Sequence, residues 1–113
     1  MLSKKYLPTF VDGELLETAI FSELIKNFGN RNVNYWRTMD KKEIDFILNK
    51  GDKLIPIEVK LNSARLKFTP IKYFVQKYDT KNIYCISLEG ELPDNPLQLK
   101  RVYPWEIYSA GFC

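Results

Sequence analysis

The sequence predicts an α/β fold with a mixed sheet flanked by helices. Three observations predict it. An amphipathic stretch spans residues 12–28, three short strand-like runs follow at 33–38, 43–49 and 54–60, and a second amphipathic stretch leads to another apolar run at 82–88. Helix, three-strand meander, helix and strand, with a further short strand after them, is the element order of a two-sided α/β layer.

Each element has its own local reason. Asp12 is a candidate N-cap for DGELLETAIFSELIKNF, acids fall early in the run, and Gly29 follows as a stop. At 100° per residue, Ile20, Phe21, Leu24 and Phe28 form one stripe. Glu17 falls in that stripe, with Glu23 and Lys26 on the opposite side, so the helix is expected to aim the Glu17 carboxylate inward. An inward carboxylate needs a cation, a metal or a proton as partner. VNYWRT reads as a strand, and Met39–Lys42 turn the chain.

EIDFILN is the next strand, with Ile44, Phe46 and Leu48 on one face and Glu43, Asp45 and Ile47 on the other. LIPIEVK is the third strand, and Pro56 demotes it toward an edge or a bulge, though proline near a strand start is tolerated. Thr69-Pro70 reads as an N-cap with proline at the first helical position. Phe68, Ile71, Phe74, Val75 and Tyr78 are the apolar stripe of the helix that follows. NIYCISL is the fourth strand and LKRVY a short fifth.

The length of 113 residues suits one domain. It divides into an N-terminal extension (1–11), a core (12–88), and a C-terminal loop, short strand and tail (89–113). There is no apolar run of the roughly 20 residues that span a bilayer and no signal-like leader, so a cytoplasmic protein with no membrane partner is expected. Cys85 reads as a small buried hydrophobe, and a disulfide to Cys113 is not expected in that compartment.

The composition restricts the chemistry further. There is no histidine, which removes Ser-His-Asp and Cys-His catalysis and histidine metal sites. Acids, lysine and tyrosine must then do the work, and a metal would be a hard cation such as Mg²⁺ or Mn²⁺. The net charge is only +3, but no acid interrupts residues 59–78, which carry Lys60, Arg65, Lys67, Lys72 and Lys77. Such a stretch suits phosphates, or it is a solvated helix face.

Glu58 and Lys60 lie two apart in a strand and share a face. Asp45 comes from the neighbouring strand and Glu17 from the helix. If the four converge, three carboxylates and a lysine make a compact cation site. Otherwise Glu58 and Lys60 are an exposed pair of little energetic weight. Tyr35 and Trp36 are set for base stacking or for sheet packing. Arg37 is set for a phosphate or for a cross-strand ion pair.

The string EIDFIL, a short turn and IPIEVK together resemble the core motif of the PD-(D/E)xK nuclease superfamily. Position by position, Asp45 matches the motif acid, Glu58 and Lys60 match E-x-K, and Glu17 matches the helix acid. GELLETAIFSELI, YWRTMDKKEIDFIL and IPIEVK in order also resemble uncharacterised domains at the C-terminus of archaeal and bacterial AAA-type ATPases. The resemblance covers roughly residues 12–75. It implies a restriction-endonuclease-like αβββαβ core, similar to archaeal Holliday-junction resolvases.

The resemblance further implies Mg²⁺- or Mn²⁺-dependent DNA cleavage, with Asp45, Glu58 and Glu17 on the metal and Lys60 at the attacking water. The segment after the E-x-K strand would then meet DNA through Asn62, Ser63, Arg65 and Lys67, with Arg37 nearby. The alternative is a catalytically silent module that binds nucleic acid, an ATPase domain or another protein. A homodimer would suit duplex cutting. Two departures stand out. Ile44, not proline, precedes Asp45, and no phosphate-binding G-x-x-x-x-G-K-[ST] loop is present, so no ATP site is expected.

Overall fold

Asp12 starts the first helix as its sequence position requires. Its carboxylate accepts from the Leu15 N–H at 2.8 Å, which satisfies one of the orphan donors of the first turn. The helix, α1 (Gly13–Phe28), ends at Gly29, whose φ of 90° favours glycine. The structure is a computed structural model and describes residues 12–95 and 97–107. The expectations for the N-terminal extension, for Cys113 and for the end of the tail lie outside those residues.

The strands follow in the expected order. They are β1 (Val33–Arg37), β2 (Glu43–Lys50), β3 (Lys53–Asn62), β4 (Tyr84–Glu89) and β5 (Lys100–Val102), with helix α2 (Thr69–Tyr78) between β3 and β4. Their order across the sheet is β1-β2-β3-β4-β5. β1, β2 and β3 pair antiparallel, while β4 is parallel to β3 and to β5. The sheet is therefore mixed.

The two helices pack on separate apolar clusters. Leu16, Ile20 and Leu24 of α1 meet Phe46, Leu48, Ile55, Ile57, Val59 and Ile86. Ile71 of α2 joins Leu66, Ile83, Cys85 and Leu99, and Phe74 joins Ile44 and Ile47. Each fully buried Leu or Ile contributes about 1.5–3 kcal/mol, so these stripes fix how both helices are rotated.

That rotation corrects the sequence reading of α1. The buried stripe runs Leu16, Ile20, Glu23 and Leu24, so Glu17 is exposed and does not point inward. Leu16 continues the i, i+4, i+8 ladder of Ile20 and Leu24, and that unbroken ladder wins the sheet. Phe21 is left at the border, stacked on Phe46 with ring centres 5.7 Å apart. Glu23, expected on the solvent side, is buried, with Lys26 Nζ 3.8 Å away.

β3 is also corrected: it is a central strand, not an edge. Pro56 is tolerated because the ladder to β4 begins one residue later, at Ile57. The missing proline N–H therefore removes no β3–β4 bond. In α2 the cap position falls on Phe68, with Thr69 as the first helical residue.

The largest departure is a bulge in β2. Its register with β1 shifts between Asn34↔Ile47 and Trp36↔Ile44, which leaves one extra residue at Asp45–Phe46. Ile44 and Ile47 consequently join the same cluster under α2, while Phe46 and Leu48 face α1. Strict alternation had placed Ile44 with Phe46 and Leu48.

Candidate functional site at the splayed end of the β2–β3 hairpin

The bulge sits where β2 and β3 stop pairing. Their register runs from Lys50↔Lys53 to Phe46↔Ile57 and ends there. Beyond it, side chains take over the backbone donors. Glu58 Oε1 accepts from the Asp45 N–H at 3.0 Å, and Asp45 Oδ2 accepts from the Val59 N–H at 2.8 Å. The two carboxylates are thus fixed reciprocally, each on the other strand's backbone. Each uses one oxygen, and the second carries no hydrogen bond among the described residues.

Burial and mutual repulsion shape the charges here. Glu58 is only 7% exposed. Burial, and then the neighbouring Asp45, push its carboxyl up to about 8, against the pull of the Asp45 N–H and the Lys60 charge. Asp45 is also raised, chiefly by burial, while the Val59 N–H and Lys60 draw it down. Glu17 is raised by desolvation and then by Asp45, with Lys60 opposing. The Lys60 charge opposes the upward shift of all three carboxylates, and burial outweighs it in each.

Three of the four, Glu17, Asp45 and Lys60, border a cleft of about 530 Å³, and Glu58 is not among its lining residues. Glu17 and Asp45 line it with Lys60, Asn62 and Arg65, and Glu14 and Glu89 add two acids that the sequence reading left out. Glu14 had a signal, since it lies three residues before Glu17 on the same helix face. Glu89 had none, because it arrives through the parallel pairing Asn62↔Glu89, which local pattern does not encode.

The remaining predicted contacts divide. Asn62 caps the turn at Ser63–Arg65 by accepting from the Ala64 N–H at 2.9 Å. Arg65 is exposed at the cleft, and Lys67 is exposed beyond it. The Ser63 hydroxyl does not reach the cleft. It is fully buried and hydrogen-bonded to Ser87, which in turn accepts from Arg101 Nε at 2.8 Å. Arg37 forms the cross-strand ion pair, Nε to Glu43 Oε1 at 2.9 Å. Trp36 packs edge-on against Phe74, whereas Tyr35 is 77% exposed. Cys85 is buried as expected, and burial raises its thiol to about 11.

Asp45 and Glu58 offer carboxylate oxygens, the donor type that hard cations take. No three acidic or cysteine side chains among the described residues gather closely enough to hold a metal ion, so an all-protein cage is absent there. Mg²⁺ needs less, because it is commonly held by one or two carboxylates and keeps several waters. Asp45, half-buried, and Glu58, buried, are two such carboxylates, with no ion pair of their own among the described residues.

Fold and site together define a mixed α/β domain with a carboxylate-and-lysine cleft at the splayed end of a central hairpin. The chain belongs to the family described as "Domain of unknown function (DUF4143)", whose model matches residues 12–108. No curated protein and no solved structure matches it. Among the described residues, no helix is long and apolar enough to cross a membrane.

Proposed function

We propose that this domain hydrolyses DNA phosphodiester bonds with a divalent metal ion, as its resemblance to PD-(D/E)xK nucleases implies. The observation that carries the reading is the reciprocal Asp45–Glu58 pair, with Glu58 buried and the half-buried Asp45 lining a cleft together with Lys60. Asp45 and Glu58 would hold Mg²⁺ or Mn²⁺. When bound, the ion supplies an acidified water and a polarised phosphoryl oxygen. The backbone N–H groups of Asp45 and Val59 keep the two carboxylates in place. Lys60 orients the attacking water and stabilises charge developing on the phosphate. Glu17, at the exposed rim, adds to the negative field that draws a cation in. Arg65 and Asn62 border the path of the DNA backbone, with Lys67 beyond.

A second reading is a binding module without chemistry, working within or beside an AAA-type ATPase. One observation favours it: among the described residues, no three acids gather closely enough to hold a metal ion. Cleavage decides between them. Linear and four-way-junction DNA would be incubated with Mg²⁺ or Mn²⁺ and wild-type protein, Asp45→Asn or Lys60→Ala. The nuclease reading expects metal-dependent cutting that both variants lose. Binding of DNA or of an ATPase with no cutting by any protein supports the module.

A further inference from the structure

Tyr35 is the most exposed aromatic residue of β1. It is 77% exposed and has no ring partner among the described residues. Its position is tied to the site. Asn34 pairs with Ile47 and Trp36 with Ile44, so Tyr35 lies opposite the bulge that carries Asp45 and Phe46. A second cavity, of about 260 Å³, opens there, lined by Tyr35, Arg37, Glu17, Asp45 and Phe46 among others. Glu17 and Asp45 also line the larger cleft, so the two spaces adjoin.

Both spaces hold two more acids than cations, and they differ in the cations. The larger cleft has Glu14, Glu17, Asp45 and Glu89, but its Lys60 and Arg65 carry no ion pair among the described residues and can meet a phosphate. The smaller has Glu17, Glu43 and Asp45 against Arg37 alone, and Arg37 is already paired with Glu43. A phosphate is repelled from such a pocket. A nucleobase is not, because it carries no charge, has a π-face for a tyrosine ring, and can present an exocyclic amine to carboxylates. A base inside a duplex cannot enter a side pocket without unpairing, which costs a few kcal/mol.

We propose that the Tyr35 pocket receives an unpaired amino-bearing base, so that the substrate is single-stranded or locally opened DNA. The inference rests on the nuclease reading for the identity of the polymer. The strand would run with one phosphate over Lys60 and Arg65 and the adjacent base against Tyr35.

The test is fluorescence anisotropy in Ca²⁺ with a labelled short oligodeoxycytidine and a duplex of equal length. Wild type is compared with Tyr35→Ala, Tyr35→Phe and Arg65→Ala, each checked for an unchanged melting temperature. Wild type should bind the single strand more tightly. Tyr35→Ala should weaken single-strand binding roughly 5- to 100-fold and duplex binding less than twofold, with Tyr35→Phe retaining most of it. Arg65→Ala should weaken both forms alike.

If Tyr35→Ala binds the single strand as wild type does while Arg65→Ala weakens it, the base pocket is wrong and the nucleic-acid cleft stands. Equal losses on both forms with Tyr35→Ala also overturn the pocket. If wild type binds neither form, the DNA reading falls with it.

Discussion

The two ends of the β2–β3 hairpin follow different rules. At the turn end, Phe46–Lys50 and Lys53–Ile57 pair without interruption, and Leu48, Ile55 and Ile57 fill the core. At the open end the ladder stops, and Asp45 and Glu58 satisfy the backbone donors with their own carboxylates. One hairpin is scaffold at one end and site at the other. The lesson is that the site is built by interrupting the sheet: the bulge and the lost pairing give two acids a fixed place between strands.

The two ends of the hairpin should differ most in what their mutation does to activity. Under the proposed nuclease function, Asp45→Asn or Lys60→Ala should lower metal-dependent cleavage by about 100-fold or more while leaving the fold intact by circular dichroism. At the scaffold end the effect should be on stability instead. Ile57→Ala should lose about 2–5 kcal/mol in denaturant unfolding, because Ile57 is fully buried. A variant pair that reversed these outcomes would erase the distinction between the two ends.

The pH dependence of stability sharpens it further. Without metal, folding favours protonated Glu58, whose carboxyl is raised from 4.5 to about 8 by burial and by Asp45. Its contribution is therefore fully present below about 4.5 and is lost as pH climbs through about 8. Melting temperature should fall across that window, Mg²⁺ should restore on the order of 5 °C at its upper end and little at pH 5, and Glu58→Gln should flatten the curve. Scanning fluorimetry reads all three.

A smaller effect is expected at Gly90, where φ is 83° and an added Cβ would overlap Asn62 Oδ1. Gly90→Ala should cost about 1–2 kcal/mol, measured by urea unfolding. The smallest belongs to the exposed Arg37–Glu43 pair. Arg37→Ala should change stability by less than about 1 kcal/mol in the same experiment.

Much of this was legible in the sequence because it is local. The Asp12 cap, the Gly29 stop and the β1–β2–β3 meander follow from residue type and short spacing. So did the grouping of Asp45, Glu58 and Lys60, since adjacent strands of a tight hairpin share neighbours. What failed depended on choices that local pattern leaves open. Leu16 completed a ladder that rotated α1 and moved Glu17 to the rim and Glu23 inward. The bulge turned Ile44 away from Phe46, and no composition signal marks it. Pro56 read as an edge signal because β4, which begins pairing just past it, is supplied from more than twenty residues further along the chain.

The proposed nuclease function requires one divalent cation on Asp45 and Glu58 at the splayed end. Titrating Mn²⁺ into the protein at neutral pH and counting free ion by electron paramagnetic resonance tests it most directly. Asp52→Asn, in the turn at the far end of the hairpin, serves as control. The account predicts one site per chain in wild type and in the control, and none in Asp45→Asn or Glu58→Gln. Undiminished Mn²⁺ binding in those two variants, or none in wild type, would contradict it.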